Sequence, residues 1–311
     1  MAGSTPASLT AEAASRAAAP QVSPARDAWR RFRRHRLAVA SSIVLLVMIL
    51  AVLLGPLLWP VAINEIDFTA RLEGPSASHL LGTDDLGQDV LARVLYGGRI
   101  SLSVGLAAMM VSLLVGTLIG AVAGISRGSV DAGLMWLTDL FLSLPQLPLL
   151  LVITYLFRDR LKQLMGAESS VFILLVAVIG GFSWMPVARL VRAQFLSLRE
   201  KEFVEAARAL GASTLRQVMR HILPNSLGPV IVAGTINVAA AIIAESTLSF
   251  LGLGFPPDTP TWGRLLFDAK DYLDIAPHWA LSAGAAIFLT VLAINFIGDG
   301  LRDVLDPRRI M

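Results

Sequence analysis

Leu37 to Trp59 reads LAVASSIVLLVMILAVLLGPLLW, without one charged side chain. As an α-helix, such a stretch crosses the roughly 30 Å hydrocarbon core of a bilayer with every backbone N–H and C=O satisfied inside the segment. Few architectures accommodate it, and the chain holds five more stretches of similar length: Ile100 to Ile125, Ala132 to Phe157, Ser169 to Ala188, Leu227 to Gly254 and Trp279 to Ile297. Only Asp139 in the third and Glu245 in the fifth place a charge inside them. Composition agrees, with 55% hydrophobic and 16% charged residues, where a soluble domain carries about a quarter charged. The expected fold class is an all-α polytopic membrane protein with six transmembrane helices. The first stretch is too long, and its polar leader too extended, for a cleaved signal peptide, so it is read as an uncleaved anchor over 37–59.

Arginine and lysine set the orientation. Arg26, Arg30, Arg31, Arg33, Arg34 and Arg36 precede the first span. Arg189, Arg192, Arg199, Lys201, Arg208, Arg216 and Arg220 lie between the fourth and fifth, and Arg302, Arg308 and Arg309 follow the sixth. Six crossings put these groups on one side, so both termini are expected in the cytoplasm. The net charge of +3 is thereby a matter of membrane orientation, not of nucleic-acid binding. Residues 1–36 read as a disordered basic cytoplasmic tail, since the first 25 or so are mostly Ala, Ser, Thr and Pro. Outside the membrane the expected segments are 60–98, a short loop around Arg158 to Glu168, and Phe255 to His278; residues 301–311 form a second cytoplasmic tail. The chain has no cysteine, which excludes disulfides, thiolate metal sites and cysteine nucleophiles.

Between the fourth and fifth spans runs EFVEAARALGASTLRQVMRHILPNSLGPVIV, Glu202 to Val232. Its first part is rich in strong helix formers, with Phe203, Ala207 and Leu210 at helical spacing. Gly211 falls where a helix C-terminus favours left-handed geometry. Thr214, with Gln217 three residues on, predicts a capping box for a second short helix, which Pro224 ends or turns back into the membrane. The expectation is a helix-turn-helix knuckle on the cytoplasmic face. By physics alone it is either a helical connector or a docking element.

The spacing decides more. Glu205, Ala206, Ala207, then Gly211, then Leu223 and Pro224 resemble the EAA loop of ABC importer permeases. One departure is His221 where that family usually has isoleucine, with Ile222 beside it. HLLGTDDLGQDVLARVLYGGRISLSVG (79–105), ESTLSFLGLGFPPDTPTWGRLL (245–266) and INFIGDGLRDVLDPR (294–308) resemble, in the same order, segments of the dipeptide/oligopeptide/nickel permease branch. The resemblance covers nearly everything after Arg26. It implies the type I ABC importer transmembrane fold, with a core over 99–300 and a coupling loop over 200–224. It also implies a homologous permease partner, two ABC ATPase subunits that bind ATP and Mg, and a periplasmic or lipid-anchored substrate-binding protein. Relatives in this branch handle dipeptides, oligopeptides, nickel complexes, glutathione and oligosaccharides.

Other features carry two readings each. Gly116, Gly120 and Gly124 let helices approach closely, within the subunit or between subunits. SLPQLP places Pro145 and Pro148 inside the third span, as a kink, a hinge or a lining of the path. Asp139 and Glu245 are functional candidates as intramembrane carboxylates, or structural groups in interfacial water; Glu245 would belong to an outer gate. DDLGQD (84–89) lacks the spacing of a calcium loop. There is no G-x-x-x-x-G-K-[ST], no H-E-x-x-H and no nucleophile with its base, so the chain is expected to catalyse nothing, to hold no metal and to carry no cofactor of its own. The rival function is an ion-driven secondary transporter using Asp139 and Glu245.

Overall fold

The computed structural model describes residues 29–126 and 128–305. Most of the expected disordered tail and residues 306–311 lie outside them. Helix α1, Arg36–Leu58, starts where His35 Nδ1 accepts from the Ala38 N–H at 3.1 Å. It turns Leu46, Leu50 and Leu54 outward, as a helix solvated by lipid should. Residues 59–89 then fold into turns that end on Asp89. The Asp89 carboxylate caps α2, Val90–Ile125, by accepting from the Ala92 N–H at 2.7 Å.

Hydropathy alone starts the second span at Ile100. The helix starts at Val90 because its two arginines find partners. Arg99 donates to the carbonyls of Val52 (2.9 Å) and Leu53 (2.8 Å) near the end of α1, and Arg93 donates to the Pro257 carbonyl at 3.2 Å. A buried guanidinium with such acceptors does not end a helix.

The third and fourth spans are each bent pairs. Helices α3, Ser129–Ser143, and α4, Gln146–Met165, meet at 85°; α5, Ala167–Gly181, and α6, Trp184–Leu198, meet at 42°. Pro145 lacks an N–H and disfavours helical geometry in Leu144 before it, which breaks the first pair. The expected loop from Arg158 to Glu168 is instead helical apart from Gly166, which turns with φ of 82°. Nor does the fourth span end at Ala188: α6 carries on through Arg189 and Arg192. Gly116, Gly120 and Gly124 of α2 all face α6. A Cβ at Gly116 would lie 2.6 Å from Val187 Cβ, and one at Gly124 2.5 Å from Phe195 Cβ. Their role is packing inside the subunit.

After α6 come two short helices, α7, Glu202–Ala209, and α8, Thr214–Gln217. A π-helical turn, Val218–Ile222, follows, then the long α9, Leu223–Phe250. A short helix, α10, Trp262–Ala269, precedes the last, α11, Pro277–Leu305. Among the described residues, four helical runs are long and apolar enough to cross a membrane: α1, α2, Thr214–Phe250 and α11. The two bent pairs bring the number to six.

The bundle has two ends of different character. Residues 59–89, 255–276 and α10 form the loop end. The knuckle, α7 to the π turn, packs with α6 and the last turn of α2 at the other.

Candidate functional site

The knuckle is held by backbone geometry and by one apolar seam. Gly211 stands just past α7 with φ of 81°. Its N–H donates to the Arg208 carbonyl at 3.0 Å and the Ala212 N–H to the Ala207 carbonyl at 3.0 Å. That pair of bonds is the Schellman closure, and it needs a residue tolerant of left-handed geometry at this point. The cap of α8 is Ser213, not Thr214: the Ser213 hydroxyl accepts from the Arg216 N–H at 3.4 Å. Gln217, expected to reach back in a capping box, donates to the Ala212 carbonyl at 2.7 Å instead. Pro224 does not end the second helix. The wider π turn before it carries the chain straight into α9, with the Leu223 N–H bonded to the Val218 carbonyl, and Pro224, lacking an N–H, sits in the first turn.

Val204, Val218 and Ile222 are buried against Val187, Val191 and Phe195 of α6. The opposite face is open. Leu210 is 89% and Leu215 72% exposed, and Phe203 and Met219 are also exposed. Glu205 and Ala206 stand exposed and Ala207 half-buried. A helix-turn-helix that offers bulky apolar side chains on a rigid, rooted frame has the form of a docking element.

The second concavity lies at the helix breaks. A cavity of about 350 Å³ is lined by Gln146 and Leu147 of α4, Ser183 and Met185 at the second break, and Asn237 and Ala244 of α9, among others. Neither Pro145 nor Pro148 lines it. Their contribution is the bend that turns Gln146 and Leu147 into the opening.

Glu245 is fully buried, not in interfacial water. It accepts from the hydroxyls of Ser249 (2.7 Å) and Ser101 (3.1 Å), and the Ser101 oxygen accepts from the Trp262 N–H at 3.2 Å. The carboxylate thus ties α9 to α2 and α10, outside the cavity. Asp139 pairs instead with Arg189 across α3 and α6, and two turns back along α3 Asp131 accepts from Arg192 at 2.5 and 2.7 Å.

A family model described as "Binding-protein-dependent transport system inner membrane component" matches residues 116–311. Another, described as "N-terminal TM domain of oligopeptide transport permease C", matches residues 23–75. The chain is 42% identical to the oligopeptide transport system permease protein OppC of Escherichia coli (strain K12), over 91% of this chain and 90% of that protein. It is 39% identical to the dipeptide transport system permease protein DppC of Alkalihalophilus pseudofirmus, over 92% and 91%. The chain belongs to the binding-protein-dependent inner-membrane transport components. In fold it is similar to the MetNI methionine ABC transporter in an inward-facing form. The TM-score is 0.54 and the identity 18%, over 68% of this chain and 95% of that one. This is the type I ABC importer fold.

For a permease of this family, an ion-driven reading built on Asp139 and Glu245 has no support. The two carboxylates sit on different helices with separate partners. Two sets of residues escaped sequence reasoning. One is the pairing of Arg189 and Arg192, whose signal was their i, i+3 spacing opposite Asp139 and Asp131. The other is the knot at the loop end. There Asp89 also accepts from Trp59 Nε1 at 3.1 Å and faces His79 Nδ1 at 2.9 Å, while Arg93 lies 3.5 Å from Asp84. Asp84 in turn accepts from the Leu86 and Gln88 N–H groups. DDLGQD is therefore a self-bonded turn. Among the described residues, no group of three or more His, Asp or Glu is arranged to hold a metal ion.

Proposed function

We propose that this permease forms, with a homologous partner, the path by which di- and oligopeptides or similar solutes cross a bacterial inner membrane. A periplasmic or lipid-anchored binding protein delivers the cargo at the loop end. Two ABC ATPase subunits dock on the knuckle and supply the ATP- and Mg-dependent step. The basic residues flanking the spans favour a cytoplasmic knuckle and cytoplasmic termini. Nothing in the sequence resembles a phosphate-binding loop, which leaves hydrolysis to the partners. The names of the relatives support a peptide cargo.

The observation that carries the reading is the knuckle. Its turn is locked by Gly211, its inner face is buried, and its outer face presents Leu210 and Leu215 to water. In isolation that exposure is unfavourable, and a partner groove relieves it. In this scheme Glu205, Ala206 and Ala207 form the first helix of the coupling element, and Leu223 and Pro224 root its exit.

The test is co-purification of the ATPase subunits with the tagged chain, then reconstitution with the binding protein. Peptide uptake should require ATP and persist when a protonophore collapses the gradient at constant ATP. Uptake that tracks the proton gradient would refute the reading.

A further inference from the structure

One ion pair lies where a lipid-facing helix has no place for it. Asp139 and Arg189 are 58% and 51% exposed in the subunit, yet both belong to spanning segments. At 1.5 Å per residue, Asp139 stands about 15 Å from the start of α3 and Arg189 about 14 Å from the end of α6, inside both bent candidate spans. Charged side chains within spanning segments face protein or a water-filled space. On α3 the exposed neighbours of Asp139 include Trp136 and Leu140, but the face of α6 is different. The exposed residues of α6 are Pro186, Arg189, Ala193 and Ser197, with no large apolar side chain among them, whereas α1 exposes leucines along its length.

The pair also adjoins the cavity. Leu142 lies three residues beyond Asp139, and Met185 and Pro186 lie four and three before Arg189, and all three line the cavity. On a helix those spacings share one face. The pair is therefore one turn to the knuckle side of a mainly apolar opening into which Gln146, Ser183 and Asn237 bring polar groups.

We infer that Asp139 and Arg189 form a cargo-contacting station in the water-filled path. Arg189 receives the carboxylate of a passing peptide, and Asp139 keeps the guanidinium neutralised between passages. A planar guanidinium suits a carboxylate in two-point contact, and an exposed pair yields to a competing ion more readily than a buried one. The cargo part of this rests on the peptide reading above; the placement of the pair does not.

The test uses the complete transporter in proteoliposomes, where the absence of native cysteine gives a clean background. Asp139→Cys, Arg189→Cys and Leu142→Cys should all react with water-soluble thiol reagents, while Leu46→Cys in α1 should not. Leu142→Cys leaves the ion pair intact, so it reports even if the other two fail to assemble. Asp139→Cys, beside an uncompensated Arg189, should react about tenfold faster with an anionic than with a cationic reagent. Labelling as slow at Leu142→Cys as at Leu46→Cys would overturn the placement, whatever the cargo.

The second arm measures uptake of tri-alanine and of tri-alanine amide. Arg189→Ala should slow tri-alanine about tenfold and the amide less than about twofold, with Arg189→Lys recovering part of the loss. Equal loss on both probes would overturn the carboxylate contact. Wild-type transporter that carries neither probe, with labelling as expected, would sink the peptide reading and its cargo assignment together, and would leave the water-facing placement standing.

Discussion

The two ends of the bundle treat polarity in opposite ways. At the loop end, charged side chains are buried and apolar ones shelter them. Arg93, Asp84 and Asp89 are nearly fully enclosed; Arg93 and Asp89 have partners from distant parts of the chain, and Asp84 is held by its own turn and Arg93. At the knuckle, apolar side chains are exposed and the backbone, closed by Gly211, holds them there. The loop end carries its own partners, so its charges serve fixed structure. The knuckle is finished as a frame and open as a surface, which is the arrangement expected of a part that works against another protein.

Breaking the loop end should have the larger effect on stability. Arg93→Ala leaves Asp84 buried without its cation and should cost about 3–5 kcal/mol, read as a fall in thermal unfolding temperature of the detergent-solubilised subunit. An unchanged temperature would mean that the knot is wetter and looser than its burial indicates.

Gly211→Val sharpens the contrast at the other end. Nothing lies within 4 Å of a Cβ built on Gly211, so the penalty is backbone strain alone, roughly 1 kcal/mol or more. The subunit should remain folded in the membrane while its ATPase association weakens. Glu205→Lys, on an exposed site, should likewise spare stability and impair association. Normal coupling in both variants would reduce the stretch to a connector.

Smaller still is the pH response of the loop end. Burial pushes the Asp84 carboxyl above its ordinary 3.8, against the opposing pull of Arg93. Asp268 is raised for the same first reason, against Arg264. A raised carboxyl stabilises the folded form most at low pH, and that contribution fades as pH rises through the folded value. Asp67 runs the other way. The Thr69 hydroxyl holds its carboxyl down, so its contribution is present above 3.8 and lost as pH falls through the lower folded value. Hydrogen exchange over residues 79–93, corrected for intrinsic rate, should therefore slow modestly as pH falls from neutral toward 3.8. Asp84→Asn should flatten that dependence.

The sequence made the greasy helices and the knuckle legible because both rest on local signals: uninterrupted apolar runs, and helix formers followed by a glycine. It misplaced boundaries where arginines lie within helices. Arg93 and Arg99 look like the end of a loop, and Arg189 and Arg192 like the start of one, until their partners in space are known. Glu245 was read as a possible surface group because Ser101 and Trp262, which surround it, are distant in the chain. Ser213 displaced Thr214 as the cap because both residue types suit the role and only the backbone decides between neighbours.

The most direct test of a knuckle that works by its exposed face is the ratio of peptide carried to ATP hydrolysed. Leu210→Ser and Leu215→Ser, together, should leave the subunit's unfolding free energy within about 0.5 kcal/mol of wild type, as surface changes do. They should also lower ATPase recovery on the tagged subunit and the transport-to-hydrolysis ratio by about tenfold, the factor that 1.4 kcal/mol of lost contact produces. A doubly substituted transporter that still binds its ATPase and carries peptide at the wild-type ratio would contradict the account.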